Sequence, residues 1–297
     1  MKIISGLSNP GLANRIAKEL SVELLSTKID NFHDGELRVQ VEGKIGKDII
    51  IVQSTNTPVN DHLMELLLLA DTAKRAGAQN IISVIPYFGY SRQDRCTYKN
   101  GPISSSLVIK MLETSGINHV VTLDLHSAQL EGMFNVPITN LSAESIFSPV
   151  GKNKNNTIIV SPDVGGIPRA RNYCSLFGMD LAIVNKTRDI NNNCLMSEVI
   201  GIVDGKNCII VDDIVDGAST LCMATDLLIK KGAKSVEAII THSVLSKEAT
   251  KKIEKSQVKK IYTTDSINHI ELPNKFTILP IHELIGAVIK EQISYSH

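Results

Sequence analysis

Short apolar runs alternate with longer stretches of helical periodicity from one end of this chain to the other. The runs predict strands over Lys2–Ser5, Ile49–Val52, Ile81–Ile85, Val120–Leu123, Ile158–Val160, Leu181–Val184, Cys208–Val211 and Val236–Ile240. The periodic stretches predict helices over Ala13–Leu20, Asp61–Ala76, Ile103–Thr114, Ile167–Phe177, Thr220–Lys231 and His282–Gln292. Strands that are apolar on both faces, separated by amphipathic helices, imply parallel sheets covered by helices, an α/β fold.

The pattern occurs twice. Ile50-Ile51-Val52-Gln53-Ser54 matches Ile209-Ile210-Val211-Asp212-Asp213, each ahead of a turn and a helix. Gly77-Ala78-Gln79-Asn80 matches Gly232-Ala233-Lys234-Ser235, and Ile4-Ser5 matches Val160-Ser161. Nearly constant separations of this kind read as two copies of one α/β unit. A chain of 297 residues is comfortable for two cores. The expected division is 1–145 and 146–297, with the last helix packing back on the first domain. The polar stretch Gly151–Thr157 has the composition of a surface connection near that boundary.

The two copies differ where chemistry belongs. The run Cys208–Val211 is expected to end as a strand at Asp212 and Asp213, ahead of the turn Asp216-Gly217-Ala218-Ser219-Thr220 and a helix. A strand, a small-residue turn and a helix start present N–H groups to an anion, and the two hydroxyls add donors. Acids at the strand end suit ribose hydroxyls, either directly or through a metal. A βα turn whose acids merely cap the helix also fits these residues. The first copy has Gln53 and Ser54 in place of the acids, which assigns the sugar-phosphate site to the second copy.

Other motifs cluster at predicted strand ends, where α/β sheets place ligands. Phe32-His33-Asp34-Gly35-Glu36 suits a tight loop that stacks on a flat ring and bonds its edge. Tyr87-Phe88-Gly89-Tyr90-Ser91-Arg92-Gln93-Asp94-Arg95 interleaves rings, suited to a base, with guanidinium forks suited to phosphate. His126 and Asp163 follow two further strands, and a divalent ion on a triphosphate needs only one or two protein ligands. Gly165 and Gly166 open a helix carrying Arg169 and Arg171, a plausible diphosphate loop. The polar stretch Asn185–Asn193 reads as a mobile lid bearing Lys186 and Arg188.

Composition narrows the partners. With 31 basic and 31 acidic residues the net charge is +0, which gives no footprint for nucleic acid or an anionic membrane. The densest apolar stretch, Leu63–Ala73, is broken by Glu65 and Asp71 and is too short to span a bilayer. Five scattered cysteines without CxxC spacing argue against a zinc site or disulfide framework. Together with a start that runs directly into a strand, this predicts a cytoplasmic protein.

In this order, the motifs resemble the ribose-phosphate diphosphokinase (phosphoribosyl pyrophosphate synthetase) family over essentially the whole chain. The resemblance implies two similar type I phosphoribosyltransferase-like domains, each a mainly parallel sheet flanked by helices. It implies ATP held by Phe32, Asp34, Gly35, Glu36, Arg92, Gln93 and Asp94. It places ribose 5-phosphate on Asp212, Asp213, Asp216, Gly217, Ala218, Ser219 and Thr220. It also implies Mg²⁺ bound by His126 and Asp163, catalytic Lys186 and Arg188, and a homo-oligomer with a dimer as unit and a hexamer as the larger assembly. The reaction would move the β,γ-diphosphoryl group of ATP to the anomeric hydroxyl of ribose 5-phosphate. A non-catalytic regulatory paralogue and a phosphoribosyltransferase are the competing readings. The chain departs from close relatives in several places. Its turn reads Asp-Gly-Ala-Ser-Thr for Asp-Thr-Ala-Gly-Thr, Val164 replaces a frequent histidine, and Thr187 replaces an arginine. Lys99-Asn100-Gly101 stands where phosphate-regulated members carry a Ser-Arg pair, which predicts weak phosphate activation.

Overall fold

The computed structural model describes residues 1–151, 155–188 and 194–294, without the side chains of 186–188, 194–197 and 293–294. It contains two compact units. The first comprises Met1–Ser142, Ser266–Asn268 and Ile281–His297, and the second Ala143–Asp265 and His269–Pro280.

Unit 1 runs β1 (Lys2–Ser5), α1 (Pro10–Leu20), β2 (Glu23–Leu25), β3 (Thr27–Asn31), β4 (Leu37–Val41), β5 (Asp48–Val52), α2 (Val59–Arg75), β6 (Asn80–Ile85), α3 (Ser104–Ser115), β7 (His119–Leu123) and β8 (Ile138–Leu141). A 3₁₀ turn, Ala128–Met133, lies between the last two strands. Its sheet has the order β2-β1-β5-β6-β7-β8 with every pairing parallel, and β3 and β4 form a separate antiparallel hairpin. Ile49, Ile50, Ile51 and Val52 of β5 are all buried, because helices cover both faces of a parallel sheet. Helix α1 starts where Asn9 Oδ1 accepts the Leu12 N–H at 3.1 Å, with Pro10 supplying a fixed φ to the first turn.

Unit 2 continues with α4 (Glu144–Gly151), β9 (Thr157–Ser161), α5 (Ile167–Phe177), β10 (Asp180–Arg188), β11 (Cys194–Ile200), β12 (Asn207–Val215), α6 (Ser219–Lys230), β13 (Ser235–Ser243), α7 (Ala249–Lys255), β14 (Val258–Thr264) and β15 (Phe276–Leu279). The final helix, α8 (His282–Ser294), counts with unit 1, where Lys290 Nζ meets Glu19 Oε1 at 2.6 Å. The unit 2 sheet has the order β11-β10-β9-β12-β13-β14-β15, parallel except for β10 with β11.

With β11 set aside the two strand orders are the same: β1 corresponds to β9, β2 to β10, β5 to β12 and β6 to β13. The repeat read from the sequence is thus a repeat of topology. It also matches the segment β2–β3–β4 of one unit with β10–β11 of the other, since each lies between the helix that follows the first strand and the central strand.

Two expectations change. Within the Asn185–Asn193 stretch, residues 185–188 are strand and not loop: β10 runs through Arg188 and pairs antiparallel with β11, with a register shift at Asn185/Lys186, and the rest of the expected lid lies outside the described residues. A two-stranded ribbon is held by backbone bonds, so it carries no apolar period for the sequence to display. Strand β12 does not stop at Val211 but continues through both acids to Val215. The change of unit falls between Ser142 and Ala143. Among the described residues no helix is long and apolar enough to cross a membrane.

Candidate active site

The acids of unit 2 stand at an uneven pair of strand ends. Strand β12 pairs with β9 only as far as Ile210↔Val160, after which β9 turns away through Pro162. Beyond that point β12 pairs with β13 alone, at Asp212↔Ile240, Ile214↔His242 and Val215↔Ser243. The missing neighbour leaves a notch at the carboxyl end of the sheet, and Asp212 and Asp213 border it.

Arg169 of α5 faces the same place. Its guanidinium lies 3.0 Å from Asp213 Oδ1 and 3.5 Å from Asp212 Oδ1. The Asp213 side chain is 4% exposed and that of Asp212 25%. Asp212 Oδ1 also accepts the Asp213 N–H at 3.0 Å. Burial, then the neighbouring charge of Asp213, pushes the Asp212 carboxyl well above the ordinary carboxylate range, and Arg169 offsets part of that rise. Two carboxylates sharing one guanidinium favour a partner that brings hydroxyl donors or positive charge.

The turn after β12 has the anion-binding form. Ala218, at φ 60, takes the left-handed conformation and stands at the start of α6 with no side-chain cap on the helix. The left-handed φ falls on Ala218 and not on its neighbour Gly217. The first N–H groups of α6 therefore turn outward beside the Ser219 and Thr220 hydroxyls. Lys252 of α7 reaches over this turn, with its Nζ 3.3 Å from Gly217 O and 3.2 Å from Ser219 Oγ. Nothing in the Lys-rich sequence of α7 marks Lys252, since only the packing of α7 brings it here.

The loop between β9 and α5 is built around Asp163. Its Oδ1 accepts the Gly166 N–H at 3.0 Å, and its carbonyl accepts from Ser161 Oγ at 2.7 Å. A Cβ on Gly166 would lie 2.9 Å from Ser161 Oγ, so this close turn requires glycine. The Asp163 carboxylate is thereby oriented, half-buried, on the rim of the loop. A hard oxygen donor held in this way suits Mg²⁺, which keeps most of its waters and binds through one or two carboxylates plus substrate oxygens. Among the described residues no group of three or more His, Cys, Asp and Glu gathers as a metal cage. That is compatible with an ion held mainly by a bound phosphate.

Unit 1 presents the other predicted residues. At the β3–β4 tip, the Phe32 N–H bonds Glu36 O at 2.8 Å and Gly35 N–H bonds Phe32 O at 3.0 Å. Asp34 Oδ1 accepts the Glu36 N–H at 3.1 Å, and Gly35 adopts φ 95. Phe32 is 50% exposed, with the Arg38 guanidinium 5.3 Å from its ring centre. Asp30 grips Arg38 with two bonds of 2.7 and 2.6 Å, leaving the ring as a flat platform on a fixed support.

After β6 the outcome is mixed. Tyr87 and Phe88 are buried, Phe88 edge-on to Phe134 at 5.9 Å, so these two rings are core and not base-stacking surfaces. The short Tyr-Phe run carries no period to reveal this. Arg92 is exposed, Gln93 Oε1 accepts from Ser104 Oγ at 2.6 Å, and Asp94 Oδ2 accepts from Ser127 Oγ at 2.8 Å. His126 is exposed just beyond β7, after Asp124 at φ 41. The backbone of Lys186 and Arg188 lies in β10, while their side chains and residues 189–193 fall outside the described residues.

The chain is similar to known proteins along nearly its whole length. Residues 1–116 match the family model described as the N-terminal domain of ribose phosphate pyrophosphokinase, and residues 134–277 match the phosphoribosyl transferase domain. A ribose-phosphate pyrophosphokinase of Helicobacter hepaticus is 45% identical over 292 residues, covering 97% of this chain and 94% of the relative. Another, of Thermosipho africanus, is 43% identical over 294 residues, covering 97% and 93%. The crystal structure of phosphoribosylpyrophosphate synthetase from Mycobacterium smegmatis superposes with a TM-score of 0.92 at 31% identity, over 99% of each chain. Two phosphoribosyltransferase-like units in fixed order, matched end to end at such identity, make this chain a member of the ribose-phosphate pyrophosphokinase family.

Proposed function

We propose that the chain transfers the β,γ-diphosphoryl group of ATP to ribose 5-phosphate, giving 5-phosphoribosyl 1-diphosphate and AMP. The anomeric oxygen forms a bond to the β-phosphorus. The bond from that phosphorus to the α,β-bridging oxygen breaks, and AMP leaves with the oxygen. The observation that carries the reading is the notch of unit 2. There an acidic pair gripped by Arg169 adjoins a helix start without a side-chain cap, in a chain matched over 97% of its length by a ribose-phosphate pyrophosphokinase.

In this assignment Asp212 and Asp213 accept hydrogen bonds from ribose hydroxyls. The turn from Asp216 through Gly217, Ala218, Ser219 and Thr220 takes the 5-phosphate on N–H and hydroxyl donors. Phe32 stacks on adenine, with Asp34, Gly35 and Glu36 around its edge, and Arg92, Gln93 and Asp94 serve the rest of the nucleotide. His126 and Asp163 are each assigned as a ligand of Mg²⁺, which when bound neutralises triphosphate charge and makes the β-phosphorus more electrophilic. Lys186 and Arg188 place positive charge on the diphosphoryl group as negative charge redistributes in transfer. Positioning and electrostatics supply the acceleration, and no protein group forms a covalent bond. The chain is further read as a cytoplasmic homo-oligomer with a dimer as its unit, a reading that light scattering in solution tests.

A coupled assay of AMP formation is the direct test. AMP should appear only with ATP, ribose 5-phosphate and Mg²⁺ together, with 5-phosphoribosyl 1-diphosphate in equal amount. No AMP under these conditions refutes the activity, and AMP without ribose 5-phosphate refutes the acceptor.

A further inference from the structure

Unit 1 has its own version of the notch, and nothing in the proposed reaction uses it. Because β1 corresponds to β9 and β5 to β12, the loop Gly6–Asn9 stands where Pro162–Gly166 stands in unit 2. Gln53 and Ser54 likewise stand where Asp212 and Asp213 do. In unit 2 these positions border an open cradle. In unit 1 they are filled by the chain itself. Ser8, Asn9, Gln53, Ser54 and Glu65 are all buried, Glu65 at 2% exposed.

The occupant is Glu65, which projects from α2 into the loop. Its Oε1 accepts the Leu7 N–H at 2.6 Å, and Gln53 Oε1 accepts the next N–H, that of Ser8, at 3.0 Å. Ser54 N–H donates to Ser8 Oγ at 2.8 Å, and Gln53 Nε2 donates to His62 O at 3.3 Å. The loop closes tightly around these groups. A Cβ on Gly6 would stand 2.2 Å from Gln53 Oε1 and 2.6 Å from Glu65 Oε1. Consecutive backbone N–H groups converging on acceptor oxygens are the means by which such loops hold phosphate and carboxylate ions. Here the oxygens come from within the chain. Burial raises the Glu65 carboxyl above its ordinary value, and the Leu7 N–H and the Gln53 side chain take back only part of that rise.

We infer that Glu65 is a built-in carboxylate occupying the anion cradle of unit 1, so that the chain takes a phosphorylated sugar at unit 2 alone. The inference rests on the reading of unit 2 given above. It also accounts for the divergence of two units with one topology. A second open cradle would bind ribose 5-phosphate without a route to chemistry, and a buried side chain closes it.

The test is chemical rescue with formate, a carboxylate small enough for the space left by Glu65→Ala. That variant should melt several degrees below the wild type. Formate should restore at least half of the difference in a saturable way, where chloride at equal ionic strength does not. Glu65→Gln keeps an acceptor for the Leu7 N–H and should show neither the full loss nor the formate response. Calorimetry of the wild type should give one ribose 5-phosphate per chain. Equal responses to formate and chloride, or two ribose 5-phosphate molecules per wild-type chain, would overturn the inference. If Glu65→Ala does not fold, the wild-type stoichiometry decides. A wild type that binds no ribose 5-phosphate and forms no AMP refutes the unit 2 reading instead, and the formate comparison still judges Glu65.

Discussion

Replacing Arg169 with methionine tests the electrostatics of the notch most directly. The guanidinium sits 3.0 Å from a nearly buried Asp213 and 3.5 Å from Asp212, and methionine fills much of its volume without its charge. Removing one partner from a buried ion pair costs about 3–5 kcal/mol, because the remaining charge is left without compensation. Asp212 keeps some solvent contact and its carboxyl is already pushed toward protonation, so the lower end, about 3 kcal/mol, applies. At about 2–4 °C per kcal/mol for a chain of this size, the melting temperature should fall by roughly 6–12 °C.

The loss also has a pH signature. The Asp212 carboxyl lies well above the ordinary carboxylate range in the folded chain, and without Arg169 it should rise further. Between the unfolded value, about 3.9, and the raised folded value, the folded chain holds more protons than the unfolded one. Stability therefore falls as pH rises through that window, and the window is wider in the variant. Differential scanning calorimetry should show a larger deficit at about pH 8 than at about pH 5.5. A deficit under about 2 °C, or one equal at both pH values, refutes the claim that Arg169 neutralises the acidic pair.

Four further outcomes are expected. Lys186→Ala should lower kcat by on the order of 10²–10³ with little change in either KM, and a raised KM at constant kcat would make Lys186 a binding residue. His126→Ala should raise the Mg²⁺ concentration for half-maximal rate by about 10–100-fold, so an unchanged magnesium titration would remove it from the metal site. Lys252→Met should raise the KM for ribose 5-phosphate about 5-fold, the equivalent of about 1 kcal/mol for a partly exposed charge contact, and leave that for ATP unaltered. An unchanged KM would reduce Lys252 to a tether of the turn. Initial rates should be nearly flat in inorganic phosphate at fixed free Mg²⁺, with ADP competing against ATP; strong phosphate dependence would refute the inference from Lys99-Asn100-Gly101.

Some features of this protein were present in the order of its residues. Parallel strands buried on both faces must be apolar throughout, so Ile49–Val52 and Cys208–Val211 declare themselves without any tertiary information. Helices that cover a sheet must carry an apolar stripe, which marks α1, α2 and α5 to within a few residues. The replacement of two acids by Gln53 and Ser54 was also legible. Polar contacts across elements leave no such trace. In sequence Arg169 only opens a helix beside paired glycines, and its contact with Asp212 and Asp213 comes from the packing of α5 against β12. Lys252 is one lysine among several until α7 folds over the turn. Tyr87 and Phe88 looked like ligand-facing rings and became core, since an aromatic residue at a strand end buries unless something polar holds it out. Glu65 only interrupts an apolar run in sequence. Its placement against the Leu7 N–H depends on α2 crossing the end of β1, a contact between residues far apart in the chain that hydrophobic periodicity does not encode.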